Sequence, residues 1–108
     1  MSDWGKASDS LPGLMRERML ILDGAMGSMI QKLNLDEEAV RGDRFRGHDK
    51  DLVRFSDILC LTRPDAITDI HRAYLEAGAN ILETNTFGAS PIGIKEFNLP
   101  DSLLPELN

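Results

Sequence analysis

The chain reads as an α/β protein with parallel strands, and three observations predict this. Residues 19–23 (MLILD) and 80–84 (NILET) are compact apolar runs that end on polar residues. Between them, Ala66, Ile67, Ile70, Ala73, Tyr74 and Ala77 recur at helical spacing. Gly78 then ends that helix and leaves a very short link into the second run. Strand, helix, strand with so tight a return is a βαβ unit, whose strands lie parallel with a right-handed crossover.

Each element follows from local chemistry. Residues 1–18 mix Ser, Asp, Gly and Pro and read as a loose N-terminal arm, with Trp4 as its one anchor and a short helix over 14–18. Four apolar residues closed by Asp23-Gly24 suit a strand buried on both faces. A turn at residues 24–27 leads into a helix marked by Met26, Met29, Ile30 and Leu33. Residues 36–56 are dense in charge, hold Gly42 and Gly47 and show no sustained period, so they read as a surface insert with one helical turn near 37–41. Glu37 and Glu38 there read as a solvated face. Thr62 followed by Asp65 resembles a capping box, and Pro64 fits only a first helical turn. Beyond the second strand, NTFGAS (85–90) makes a loop, 91–97 a short helix, and Pro105-Glu106 the first turn of another.

Composition narrows the function classes. The chain has 108 residues, a net charge of −6 and one cysteine. An acidic chain without a Lys/Arg cluster is a poor partner for nucleic acid or anionic membrane. Apolar stretches of four or five residues fall far short of the ~20 that span a bilayer. The start, MSDWGKASDS, lacks the apolar core of a secretory signal. These features lead to a cytoplasmic expectation. A lone Cys60 excludes an internal disulfide and, between Leu59 and Leu61, reads as a small core residue. Cys60, His48 and His71 show no metal-ligand spacing.

Two motifs could carry chemistry, and both sit where a strand ends. In LDGAMG (22–27), Asp23 closes the first strand and two glycines bracket the turn. Outward-facing amides at such a turn favour an anion, aided by the helix dipole, while the carboxylate could accept an ammonium. Together they would hold both ends of an α-amino acid. A plain tight turn capped by Asp23 accounts for the same residues. In ETNTF (83–87), Thr84, Asn85 and Thr86 offer hydroxyl and amide groups and Phe87 a flat apolar wall. The carboxyl edge of parallel strands is where α/β proteins build sites. A polar loop with one packing aromatic would look the same. Neither GxGxxG nor GxxxxGK[ST] is present, so no phosphate fingerprint competes.

Taken in order, MLILDGAMGSMIQ (19–31), the insert ending in RGDRFRGHDKDL (41–52) and SDILCLTRPDAITDIHRAYLEAGANILETNTFGAS (56–90) resemble the homocysteine S-methyltransferases, in particular the module that opens cobalamin-dependent methionine synthases. The likeness spans residues 19–108. It implies the first βα units of a (β/α)8 barrel, incomplete in this chain, since such barrels need roughly 250 residues. It implies homocysteine as substrate, a zinc held by three cysteine thiolates on late strands, and methylcobalamin as methyl donor. By position, Asp23 matches the acidic residue near the homocysteine amino group, and Gly24, Ala25, Met26 and Gly27 match the substrate loop. Thr84 and Phe87 match residues beside the bound amino acid, Phe87 through its backbone. Cys60 matches none of the zinc ligands.

The resemblance therefore leads us to expect a piece of a methyltransferase that is inactive alone and carries neither zinc nor cobalamin. Its partners would be homocysteine and the remaining barrel, cobalamin and folate domains. Two parallel strands with open edges also invite self-association. Betaine- or S-methylmethionine-dependent homocysteine methyltransferases share LDG and the TF strand end, although the RGDRF insert leans toward the cobalamin type. A non-catalytic binding or assembly piece is the third reading.

Overall fold

The computed structural model describes the backbone of residues 3–108 and the side chains of residues 9–108. In chain order, α1 (Asp3–Glu17) precedes β1 (Leu22–Asp23), then α2 (Gly27–Lys32) and α3 (Glu37–Arg41). After a 3-10 turn at Ser56–Ile58 come α4 (Leu59–Thr62), α5 (Pro64–Glu76) and β2 (Ile81–Leu82). α6 (Pro91–Glu96), a second 3-10 turn at Asp101–Leu103 and α7 (Leu104–Leu107) complete the order. The fold is α/β: helices accompany one small two-stranded parallel sheet.

β1 and β2 pair in parallel, Leu22 opposite Ile81 and Asp23 opposite Leu82. The expected pairing therefore forms, but over two residues rather than five. The ladder starts just ahead of the strands. Ile21 O accepts from Asn80 N–H at 2.8 Å and Ile81 N–H at 3.1 Å, while Asn80 Oδ1 accepts from Ile21 N–H at 3.0 Å. The expectation that the first strand is buried on both faces fails: Ile21 is 56% and Leu22 59% exposed. The uncovered side is that of β1, since Ile81 and Leu82 of β2 are half-buried.

α5 follows the sequence pattern with two corrections. Pro64 occupies the first turn, and Gly78, at φ +112, takes the left-handed conformation after the helix. The capping box does not form. Arg63 stands at the N-cap without a side-chain bond, because the Thr62 hydroxyl closes α4 instead by donating to Ile58 O. The buried stripe is also narrower than expected. Ile67 and Ile70 are buried, Ala66 and Tyr74 half-buried, and Ala73 and Ala77 exposed.

The core does not lie on the sheet. It gathers Val40, Leu52, Phe55, Ile58, Leu59, Ile67, Ile70, Ile94, Leu99, Leu103 and Leu107, with Met26 at its edge. Leu52, Ile58, Leu59 and Ile94 are fully enclosed, and the Phe55 and Phe97 rings meet with centroids 4.9 Å apart. The charged insert is thus no surface excursion, since Val40, Leu52 and Phe55 come from it. Its polar residues hold that path. Arg41 donates to the carbonyls of Arg46, His48 and Lys50, and Glu37 accepts from Arg41 and from the N–H groups of Leu52 and Val53. Glu37 is therefore an internal tie rather than part of a solvated face. His48 donates its Nε2–H to Phe97 O at 2.6 Å, joining the insert to the segment after α6.

The N-terminal arm also departs from expectation, because residues 3–17 form α1 with Pro12 inside it. Its Leu, Met, Arg and Glu residues favour a helix and outweigh the Gly and Ser that suggested a loose arm. Leu11 and Leu14 line a groove against Leu75, Ile81 and Leu82. The Trp4 side chain lies outside the described residues. Among the described residues, no helix is long and apolar enough to cross a membrane.

Candidate functional site

A parallel βαβ unit delivers the carboxyl ends of both strands to one edge. That geometry brings the two candidate motifs together. A cleft of about 630 Å³ opens there, lined by Ala25, Met26 and Gly27 from the first motif and by residues 83–87 from the second, with Ser56 closing one side.

The first loop is shaped by Gly24. Its φ is +140, and a Cβ at this position would lie 2.8 Å from the Glu83 backbone N. Only glycine lets the end of β1 approach β2 this closely. Asp23 sits one residue earlier and is exposed. Its Oδ1 accepts the Gly24 N–H at 2.8 Å, so the carboxylate steadies the turn. Its position is the rim of the cleft rather than the lining. Met26 is buried, and Tyr74 reaches from α5 to donate its hydroxyl to Ala25 O at 2.7 Å. The following helix, α2, has six residues and no side-chain cap. Fewer than two turns give a weaker dipole than the sequence reading assumed.

The second loop divides by direction. Thr84 and Thr86 share a hydroxyl–hydroxyl bond of 2.6 Å at the cleft, and Phe87 is fully exposed. Asn85 is buried. Its side-chain amide donates to Ser56 O at 2.8 Å and approaches Cys60 Sγ at 3.7 Å, while the Cys60 thiol approaches Asn85 O at 3.5 Å. Asp57 is buried as well, and its Oδ2 accepts the Gly88 N–H at 3.0 Å. Burial is the main cause that pushes the Asp57 carboxyl above its ordinary value, against the pull of backbone N–H bonds. Burial likewise raises the Cys60 thiol, which keeps it in the unreactive protonated form.

Of the residues expected at the site, Ala25, Met26, Gly27, Thr84 and Phe87 line the cleft, whereas Asp23 and Gly24 are outside its lining. Ser56 was not anticipated: nothing in the charged insert marks its last residue as a cleft wall. Asn85 and Thr86, expected to offer amide and hydroxyl groups, line the cleft as well, and Glu83 joins them without having been given a role. Chemically, the cleft offers peptide groups, hydroxyls and the carboxylates of Glu83 and, at the rim, Asp23. That set suits the polar head of a small amino acid. Among the described residues, no group of three His, Cys, Asp or Glu is placed to hold a metal ion. The profile of a family described as homocysteine S-methyltransferase matches residues 20–108. That span takes in both cleft loops, the insert and α5, and the chain belongs to the homocysteine S-methyltransferase family.

Proposed function

We propose that this chain forms one wall of the homocysteine pocket in a methyltransferase of the cobalamin-dependent methionine synthase type. The observation that carries the reading is the cleft itself, in which LDGAMG and ETNTF meet at the carboxyl ends of two parallel strands in a chain of this family. In this reading residues 19–108 begin a (β/α)8 barrel, and residues 1–18 precede it. The exposed apolar faces at Ile21 and Leu22 support the barrel, because further strands would cover them. The RGDRF motif of the insert, residues 41–45, is the sequence feature that favours the cobalamin type over betaine- or S-methylmethionine-dependent enzymes.

The residues of this chain do not fit a thiolate zinc site. Cys60 is the one cysteine, its thiol is held protonated by burial, and it is engaged with Asn85. In this reading the part played by the residues of this chain is to bind and orient the amino acid. The ammonium would face Asp23, the carboxylate the peptide groups of 24–27, and the Thr84 and Phe87 positions would flank the side chain.

Homocysteine titration by calorimetry on the native chain and on Asp23→Asn tests this. Loss of a charge-assisted hydrogen bond should cost about 1.5–3 kcal/mol in affinity, with little change in melting temperature. Affinity held with a lower melting temperature would reduce Asp23 to a turn cap and remove it from the site.

A further inference from the structure

This inference rests on the homocysteine-site reading and adds to it a residue, Asp57, that does not line the cleft. We propose that Asp57 is a positioning residue, whose buried carboxylate grips the Gly88 peptide and so sets the cleft edge formed by residues 84–87. Asp57 belongs to the 3-10 turn Ser56–Ile58, at the end of the charged insert. It is 3% exposed and its Oδ2 accepts the Gly88 N–H at 3.0 Å. The reverse tie comes from Asn85, 6% exposed, which donates to Ser56 O at 2.8 Å. Turn and loop thus exchange two hydrogen bonds, one on each side of Phe87.

The packing leaves the loop little room to move. A Cβ on Gly88 would lie 3.0 Å from Phe55 Cε1 and 3.4 Å from Asp57 Oδ1. From the other side, a Cβ on Gly93 would overlap Gly88 O. Gly88 is held between the Phe55 ring, the Asp57 carboxylate and the first turn of α6.

The choice of residue points the same way. Burying a carboxylate is costly unless a cation or several donors compensate it. Among the described residues, no Lys or Arg forms an ion pair with Asp57. A neutral acceptor could satisfy one peptide N–H at lower cost. A carboxylate instead puts two acceptor oxygens beside the residue that follows the cleft edge, Oδ2 on the Gly88 N–H and Oδ1 against the Gly88 α-carbon side. Asp57 does not line the cleft, so it acts on a ligand only through the loop.

The test uses the full chain and two variants, Asp57→Asn and Asp57→Ala. Homocysteine affinity is measured by titration and amide hydrogen exchange by NMR. Asp57→Ala should weaken affinity about tenfold or more, the scale of one lost charge-assisted bond. It should also speed exchange at Gly88 while the α5 amides keep their protection. Asp57→Asn, which retains an oxygen acceptor, should recover affinity to within about threefold of native, with Gly88 exchange between the other two. Unchanged Gly88 exchange in both variants overturns the proposal, and so does native affinity in a folded Asp57→Ala. Parallel loss of protection at Gly88 and α5 that Asn does not rescue also overturns it, by making Asp57 a general core residue. If the native chain itself fails to bind homocysteine, the site reading falls, and Gly88 exchange alone then decides whether Asp57 positions the loop. Should Asp57→Ala not fold, the Asn variant decides, since the weaker neutral acceptor must still speed exchange at Gly88.

Discussion

Two glycines three positions apart should respond oppositely to the same substitution. At Gly24, φ is +140 and an added Cβ would meet the Glu83 backbone N at 2.8 Å, with Leu82 Cα and Glu83 Cα at 3.6 and 3.7 Å. The obstacle is the backbone of Leu82 and Glu83, so no side chain can swing away to relieve it. Holding an L-residue in such a conformation costs roughly 1–3 kcal/mol. Pushing β1 away from β2 would weaken a ladder bond for about 1 kcal/mol more. Gly24→Ala should therefore destabilise by about 2–4 kcal/mol, which lowers the melting temperature on the order of 10–30 °C for a domain of this size. At Gly27, no heavy atom lies within 4 Å of an added Cβ, and the residue opens α2. Gly27→Ala should be neutral or stabilising by up to about 1 kcal/mol. Thermal unfolding followed by circular dichroism compares the two directly. Equal shifts, or a Gly24→Ala midpoint within about 2 °C of native, would refute the close approach of the strand ends.

Other expectations concern the core, the insert and the first loop. Ile58 is fully buried, and Ile58→Ala should cost about 2–5 kcal/mol in urea unfolding; a cost below about 1 kcal/mol would mean that the site collapses around the cavity. For Glu37, burial pushes the carboxyl up, but bonds from Leu52 N–H, Arg41 and Val53 N–H together outweigh it and hold it below its ordinary value of 4.5. A lowered carboxyl contributes stability above its unfolded value and loses it as pH falls through the folded value. Glu37→Gln should thus flatten the acid limb of a stability–pH curve below about pH 4.5, and an unaltered limb counts against the tie. Tyr74→Phe removes the bond to Ala25 O and should cost about 0.5–1.5 kcal/mol, with faster amide exchange confined to the first cleft loop.

The elements that were legible in the sequence are those whose signals are local. Pro64, the Ile67–Ile70 spacing and Gly78 mark α5 because a helix is decided by neighbours along the chain. The meeting of LDGAMG and ETNTF was legible too, since parallel strands must end on the same side. Burial was harder to read. The run at 19–23 is apolar enough for a covered strand, yet Ile21 and Leu22 are exposed, because cover depends on elements the run does not contain. In the insert, charges hide the core residues Val40, Leu52 and Phe55. The turns that bring them inward are fixed by Arg41 and Glu37 through bonds to distant backbone, and these leave no period to detect. Asp57 was invisible for a similar reason, as its burial and its Gly88 partner are set 31 residues apart.

The side chain of Asn80 bears on the order in which the molecule assembles. Its carboxamide oxygen accepts the Ile21 N–H and its backbone N–H donates to the Ile21 carbonyl, 59 positions away. Everything from β1 through α5 lies inside that loop, so its closure carries a large entropy cost that few local contacts offset. The α4–α5 hairpin and the tied insert draw on shorter-range contacts and can form before it. The strand pair, and the cleft at its end, should then be among the last parts to organise and the first to open. Asn80 also sets the register. A slip by one residue would break this pair of bonds, so the late step has one well-defined end point.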